Sequence, residues 1–360
     1  METHDGRVGQ GRHRRPVSLK VLVLFAAASV VAGACSTGTS PAASGSLPAS
    51  PGSPTGTASK SPAGAPSCEP ANPDAGMQTS PSFAAGAAAP ALLVLADCVD
   101  GGIGLWRLDA AGIWTTAGPA PDGQAIARDG DTFTILRPGS LETRTASQPA
   151  VTAGTVPLKW PSAVPSAPMR AVDQSPAGKT AIVFADGNGE TYSIASADGT
   201  VTPLQGAPES SFTPLVGWID ADRLLVLSDG TDATSRIVVM STGLSQTIPT
   251  LIGVRWFALS GDRSTVAIAL DSGIYVSPVS ALLGGAQPTW IGSVAASQKV
   301  LDLVLDRTGA NLAALVNATK DDGMPVNTRE LGYTKTSSGW KWTYDGPVPF
   351  TKALGQAWLG

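Results

Sequence analysis

Both histidines of the 360-residue chain, His4 and His13, fall before Cys35. From Cys35 onward there is no imidazole, which removes triads with a His base, His general acids and His-rich metal sites together. Carboxylate, lysine and tyrosine chemistry is left. Asp186, Asn188 and Glu190 have the alternating spacing of the oxygen ligands in a calcium loop, but the sixth position, which needs Gly, is Thr191. A hairpin turn accounts for these residues better, and neither a metal nor a cofactor is expected. The chain has no Gly-rich phosphate loop, no Cys-x-x-Cys pair and no Ser with a base beside it. The chemistry to expect is therefore binding, and the elements that would carry a binding face have to be found.

The first residues concern address. Arg7, Arg12, Arg14, Arg15 and Lys20 make a positive start, and Val21 to Ala34 is an uncharged, mostly apolar run of 14 residues. That is shorter than the roughly 20 residues of a membrane span and fits a secretory leader. The run ends in Ala32-Gly-Ala-Cys35-Ser36, which resembles the lipobox of bacterial lipoproteins. The resemblance implies that residues 1–34 are a signal peptide and that Cys35 is lipidated and becomes the first residue. The same residues also allow an ordinary cleaved leader or an uncleaved anchor. A diacylglycerol thioether would supply two chains, enough for stable anchoring. Residues 36–67 are almost all Ser, Gly, Pro, Thr and Ala, with Lys60 the only charge, so they cannot offset the entropy of ordering and should form a tether. Leader and tether together resemble envelope lipoproteins of high-GC Gram-positive bacteria, and imply a membrane-held protein on the extracytoplasmic side.

In that oxidising compartment the two remaining thiols, Cys68 and Cys98, are expected to pair. Two buried free thiols or an intermolecular bridge are the alternatives. Such a bond would close a loop of about 31 residues and restrict the unfolded chain by roughly 3–4 kcal/mol. Charge narrows the partners further. The chain carries 24 Lys+Arg and 28 Asp+Glu, and without the five basic and two acidic residues before Cys35 the balance is 19 to 26. A net charge near -7 argues against nucleic acid.

Ala171 to Leu204 shows how the rest is organised. Ser175-Pro-Ala-Gly178 is a turn, Thr180 to Phe184 an apolar strand, Asp186-Gly-Asn-Gly189 a second turn, Thr191 to Ala195 a strand, and Asp198-Gly199 a hairpin before Val201 to Leu204. A unit of about 35 residues cannot bury its own faces and must stack on copies of itself. Equivalent turns recur near positions 129, 176, 221, 261 and 307, at steps of 47, 45, 40 and 46 residues. That is the spacing of four-stranded propeller blades. Leu92 to Ala96 resembles Leu224 to Ser228 as a second strand without an inner strand before it, and Leu354 to Leu359 resembles Leu215 to Ile219 with nothing after it. Joining the two completes a sixth blade. The expected fold is all-β, a six-bladed β-propeller over residues 91–360, closed by a C-terminal strand, with residues 68–90 a lead-in; a two-sheet sandwich is the alternative. Ser-Pro-x-Gly-Lys before an apolar strand and Asp-Gly-Asn-Gly resembles the WD40-like repeats of TolB-type propellers, a likeness that carries no catalytic residues.

On such a ring the loops between second and third strands share one rim with the links between blades. Lys159 and Trp160 lie in a Pro-rich link, where Trp160 either reaches a partner or packs between blades 2 and 3. Asp229 and Asp232 lie in one hairpin, and Lys320, Asp321 and Asp322 in the longest, Asn317 to Asn327. Trp218, Trp256 and Trp358 fall at like places in inner strands and read as blade packing. The reading is a non-catalytic protein-binding scaffold that docks another envelope protein; the alternative is a glycan- or small-ligand-binding propeller, with carboxylate-based hydrolysis open to it.

Overall fold

The computed structural model describes residues 68–69, 80–129, 131–165, 168–186, 189–205, 215–229, 235–241, 244–271, 273–294, 298–319 and 325–359. The chain divides into Met1–Ser59 and Lys60–Gly360, and the fold below belongs to the second unit. Residues 1–67, with Cys35 and the expected leader and tether, lie outside the described residues.

The described strands form six antiparallel sheets arranged as the blades of a propeller. The inner strands of blades 2 to 6 are Ala125–Asp129, Met169–Gln174, Val216–Trp218, Val254–Leu259 and Gln298–Leu305. In blade 1 the inner strand is Ala353–Trp358, paired with Leu92–Asp97 in the register Leu92↔Trp358, Val94↔Gln356. The C-terminal strand thus closes the ring as expected, and no sheet edge is left between first and last blades.

Why the second strands read as unbroken apolar runs is clear from what covers them. Leu92 and Val94 pack toward blade 6 with Ala313, Leu315 and Phe350, while Leu93 and Leu95 pack toward blade 2 with Ile126, Phe133 and Ile135. Both faces are buried, so alternation is lost. The same holds around the ring, where each pair of neighbouring blades encloses one apolar cluster among the described residues. Each fully buried Leu, Ile or Val contributes roughly 1.5–3 kcal/mol, so the ring is held by its inter-blade seams.

The turns between inner and second strands are closed by their own side chains. Ser175 Oγ accepts from the N–H of Lys179 at 3.0 Å, and Ser260 Oγ from Thr265 at 3.0 Å. Asp306 takes that place in blade 6, accepting from Ala310 N at 2.9 Å. This is the physical content of the repeated Ser/Asp-containing turn pattern.

Three details differ from the sequence-based expectation. Ser82–Phe83, within the lead-in, is a strand that pairs with Gly339–Pro347 and gives blade 6 a fifth strand. The hairpin after Asn317 is shorter than expected, because Asn311–Thr319 and Pro325–Thr336 stay paired to Thr319↔Pro325. Backbone pairing there outlasts the apolar pattern that marks the strand in the sequence. Finally, Trp218 and Trp358 end their inner strands, whereas Trp256 stands three residues before the end of its own.

Candidate functional site

The six inner strands enclose a central cavity of about 610 Å³, to which all of them contribute residues. In four of them the pairing slips by one residue near the start, leaving Arg170, Arg255, Leu301 and Leu354 as the extra residues of β-bulges. A bulge adds twist and re-aims the side chains that follow it. The residues after these bulges include Trp256, Asp302 and Gln356, which line the cavity.

Asp302 is 9% exposed. It accepts from the main-chain N–H of Leu303 at 2.8 Å and from the Trp256 indole N–H at 3.0 Å. The Gln356 main-chain N–H also bonds to this carboxyl. Burial pushes its pKa up to about 7, and the three N–H donors only partly oppose that. The donors are neutral, and none is an ammonium or guanidinium.

Behind the wall, the Gln356 Nε2 donates to Glu330 Oε2 at 2.5 Å. Glu330 is fully buried in the third strand of blade 6, and burial, helped by the nearby Asp302, raises its pKa well above the usual carboxylate range. Glu330 Oε1 and Gln356 Oε1 have no hydrogen-bond partner. This acid–amide contact joins blade 6 to the closing strand of blade 1.

Toward the ends of the inner strands a charged bar crosses the cavity. Arg263, in the turn of blade 5, reaches past blade 4 to Asp173 of blade 3 with bonds of 2.9 and 3.0 Å, and donates to the Gln174 carbonyl at 2.6 Å. Trp218 N–H donates to the same carboxylate at 2.7 Å. Arg263 takes a left-handed backbone conformation, φ 61°, to make this reach. Burial drives the Asp173 carboxyl up, and the Arg263 charge works against it. Gln124, Pro168, Leu215 and Lys352 line the cavity where the inner strands begin.

The residues singled out from sequence are distributed as follows. Cys68 and Cys98 form a disulfide, which ties residue 68 to the first turn of blade 1 between its second and third strands. Lys159 Nζ meets Asp198 at 3.0 Å with both side chains about 60% exposed. Trp160 is half-buried between blades 2 and 3, donating to the Pro138 carbonyl at 3.1 Å and meeting Phe184 edge to face at 5.4 Å. These contacts are those of a side chain packed between blades. Asp229 ends the second strand of blade 4, and Asp232, Lys320, Asp321 and Asp322 lie outside the described residues. Asp186 pairs with Gly189 across a two-residue hairpin. Among the described residues no group of three or more His, Cys, Asp or Glu is placed to hold a metal.

Sequence reasoning passed over Asp302, Gln356 and Arg263. The signal for Asp302 was there, since it is the lone charge inside Val300-Leu301-Asp302-Leu303-Val304-Leu305. A charge within a strand covered on both faces needs a reason. Arg263 had none, because its partner lies 90 positions away.

The fold and channel define a class, a six-bladed propeller with a central bore lined by its inner strands. Among solved structures, TolB from Acinetobacter baumannii is similar, with a TM-score of 0.53 at 11% identity over 76% of this chain and 67% of that one. A protein from Lactobacillus plantarum matches at TM-score 0.43 and 15% identity over 75% of this chain and 99% of its own. No protein-family model and no curated protein matches the chain. At this identity the likeness to TolB establishes a TolB-like propeller fold and no chemistry.

Proposed function

We propose that this protein is a lipid-anchored, extracytoplasmic propeller of a cell envelope of the high-GC Gram-positive type, which acts without catalysis by docking another envelope protein. The observation that carries the reading is the Cys68–Cys98 bond. Disulfides of this kind belong to oxidising compartments, and this one fastens the chain that follows the tether to the rim of a rigid ring. The sequence before it, with a leader ending at Cys35 and a Ser/Pro/Gly tether, supports an anchor that holds the ring near the membrane but off its surface.

The docking face is the rim that bears the disulfide. Val99, beside Cys98, and Val164, in the link between blades 2 and 3, are 60% and 47% exposed there. Apolar side chains held out on a rigid rim suit many shallow contacts with a protein partner. Crosslinking and mass spectrometry on the tagged protein in native membranes tests this, against a V99D/V164D variant and one in which residues 317–328 are replaced by a short turn. One membrane protein recovered with the parent chain and lost with the rim variants is the expected outcome. Enrichment of no membrane protein, or equal recovery by all forms, would remove docking at this rim, and a Cys35→Ser form that still partitions with membranes would remove the lipid anchor.

A further inference from the structure

We propose that the central channel binds a small apolar amine, whose ammonium pairs with Asp302 and whose body lies against the aromatic and aliphatic walls of the bore. Charge complementarity at Asp302 points to a cation, because this carboxyl lines a cavity that opens to solvent. The cavity wall presents apolar and polar surface in nearly equal parts; half-buried apolar residues such as Val172, Trp256, Leu301 and Trp358 line it, whereas Ile126, Met169, Phe257 and Leu303 are buried in the seams between blades. A cavity of about 610 Å³ falls within the size range of small-molecule sites. Of the two carboxylates in its wall, Asp173 already has its counter-charge in Arg263. Asp302 has none. Every donor that reaches it is a neutral N–H, from Leu303, Trp256 and Gln356.

The groups facing Asp302 from neighbouring strands sharpen the choice of ligand. Glu330 lies in the same blade two strands further out, and its interaction with Asp302 is repulsive. Gln356 and Trp256, from blades 1 and 5, are uncharged. Lys352 and Arg307 stand exposed at opposite ends of the inner strands, one before the strand of blade 1 and one after that of blade 6, where water and salt screen them. Among the described residues the cations lining the cavity are Arg263, already paired, and Arg307 and Lys352 at its two ends, so an anion would find none beside Asp302. A neutral ligand would meet Asp302 as a neutral acid and draw nothing from its charge, whereas an ammonium pairs with the carboxylate, and the tryptophans add a favourable surface for the cation.

Without a ligand, Asp302 carries its proton over much of the neutral range, since burial pushes its pKa up to about 7. Binding of a protonated amine therefore releases that proton to solvent, the carboxyl O–H giving up H⁺ and the carboxylate taking the ammonium as partner. Affinity should rise with pH up to the Asp302 pKa and flatten above it.

Calorimetry on the full chain, in a detergent without sugar or ammonium groups, tests this with phenethylammonium and hexylammonium against phenethyl alcohol and hexanol. The amines should bind saturably, about tenfold more tightly at pH 8 than at pH 6, with proton release near one per amine at pH 6 read from buffers of different ionisation enthalpy. D302N should weaken the amines at least tenfold at pH 8 and leave the alcohols unchanged. Alcohols that bind as tightly as amines, amine affinity independent of pH and of D302N, or no saturable binding by any of the four would each overturn the proposal.

Discussion

Replacing Asp302 by Asn should change how the stability of the ring depends on pH, and the size of the effect follows from the burial of this carboxyl. Its folded pKa is about 7 against an ordinary value of 3.8. Between those two values the folded state holds a proton that the unfolded chain has lost. The stability contributed by the neutral acid is therefore fully present below about pH 4, declines as pH rises through the window at up to about 1.4 kcal/mol per unit, and is gone above about pH 7. Over about three units the loss is about 4 kcal/mol. Asn cannot titrate, so the stability of D302N relative to the parent chain should climb by that amount between pH 4 and pH 7 and level off beyond. Urea unfolding followed by tryptophan fluorescence, at half-unit steps from pH 4 to 8.5, measures the difference directly. Because Glu330 feels the Asp302 charge, the same pair should be compared in an E330Q background, where the climb should persist. A difference that stays flat from pH 4 to 8.5 in both backgrounds would refute the burial argument for Asp302 and the charge reasoning built on it.

Breaking the bar across the channel should be costly in one order and cheaper in the other. R263M strands a buried Asp173 carboxylate, for an expected loss of roughly 3–5 kcal/mol in urea stability, and adding D173V should recover a large part of it. No recovery would mean that Arg263 acts through its turn geometry. Reducing the Cys68–Cys98 bond, or making C68S/C98S, should lower stability by roughly 3–4 kcal/mol, and an unchanged unfolding midpoint in dithiothreitol would count against the staple. In the Asp198-Gly199 turn, Gly199 has φ 84° and an added Cβ would lie 2.0 Å from the Pro157 carbonyl oxygen, so G199A should lose roughly 2–4 kcal/mol by the same assay. A neutral G199A would mean that the link between blades 2 and 3 can move aside.

What the sequence determined by itself was the ring. Turn residues at regular steps set the strand boundaries locally, through bonds such as those of Ser175 and Asp306 to main-chain N–H groups two to four residues on. The pairing of Leu92–Asp97 with the C-terminal strand was also legible, because LLVLA and LGQAWL each lacked the neighbour that the other supplied. The cysteine pair followed from there being no other thiols after Cys35. The interior of the ring was decided only by tertiary structure. Arg263 and Asp173 meet across 90 positions, Gln356 and Glu330 across 26, and Trp256 and Asp302 across 46. No local rule relates such residues, since their distance depends on the summed rotation of the blades between them and on bulges that shift one strand against the next. The pKa of Asp302 has the same origin: a carboxyl in a strand is ordinary until five other strands close around it and exclude the water that would keep it charged.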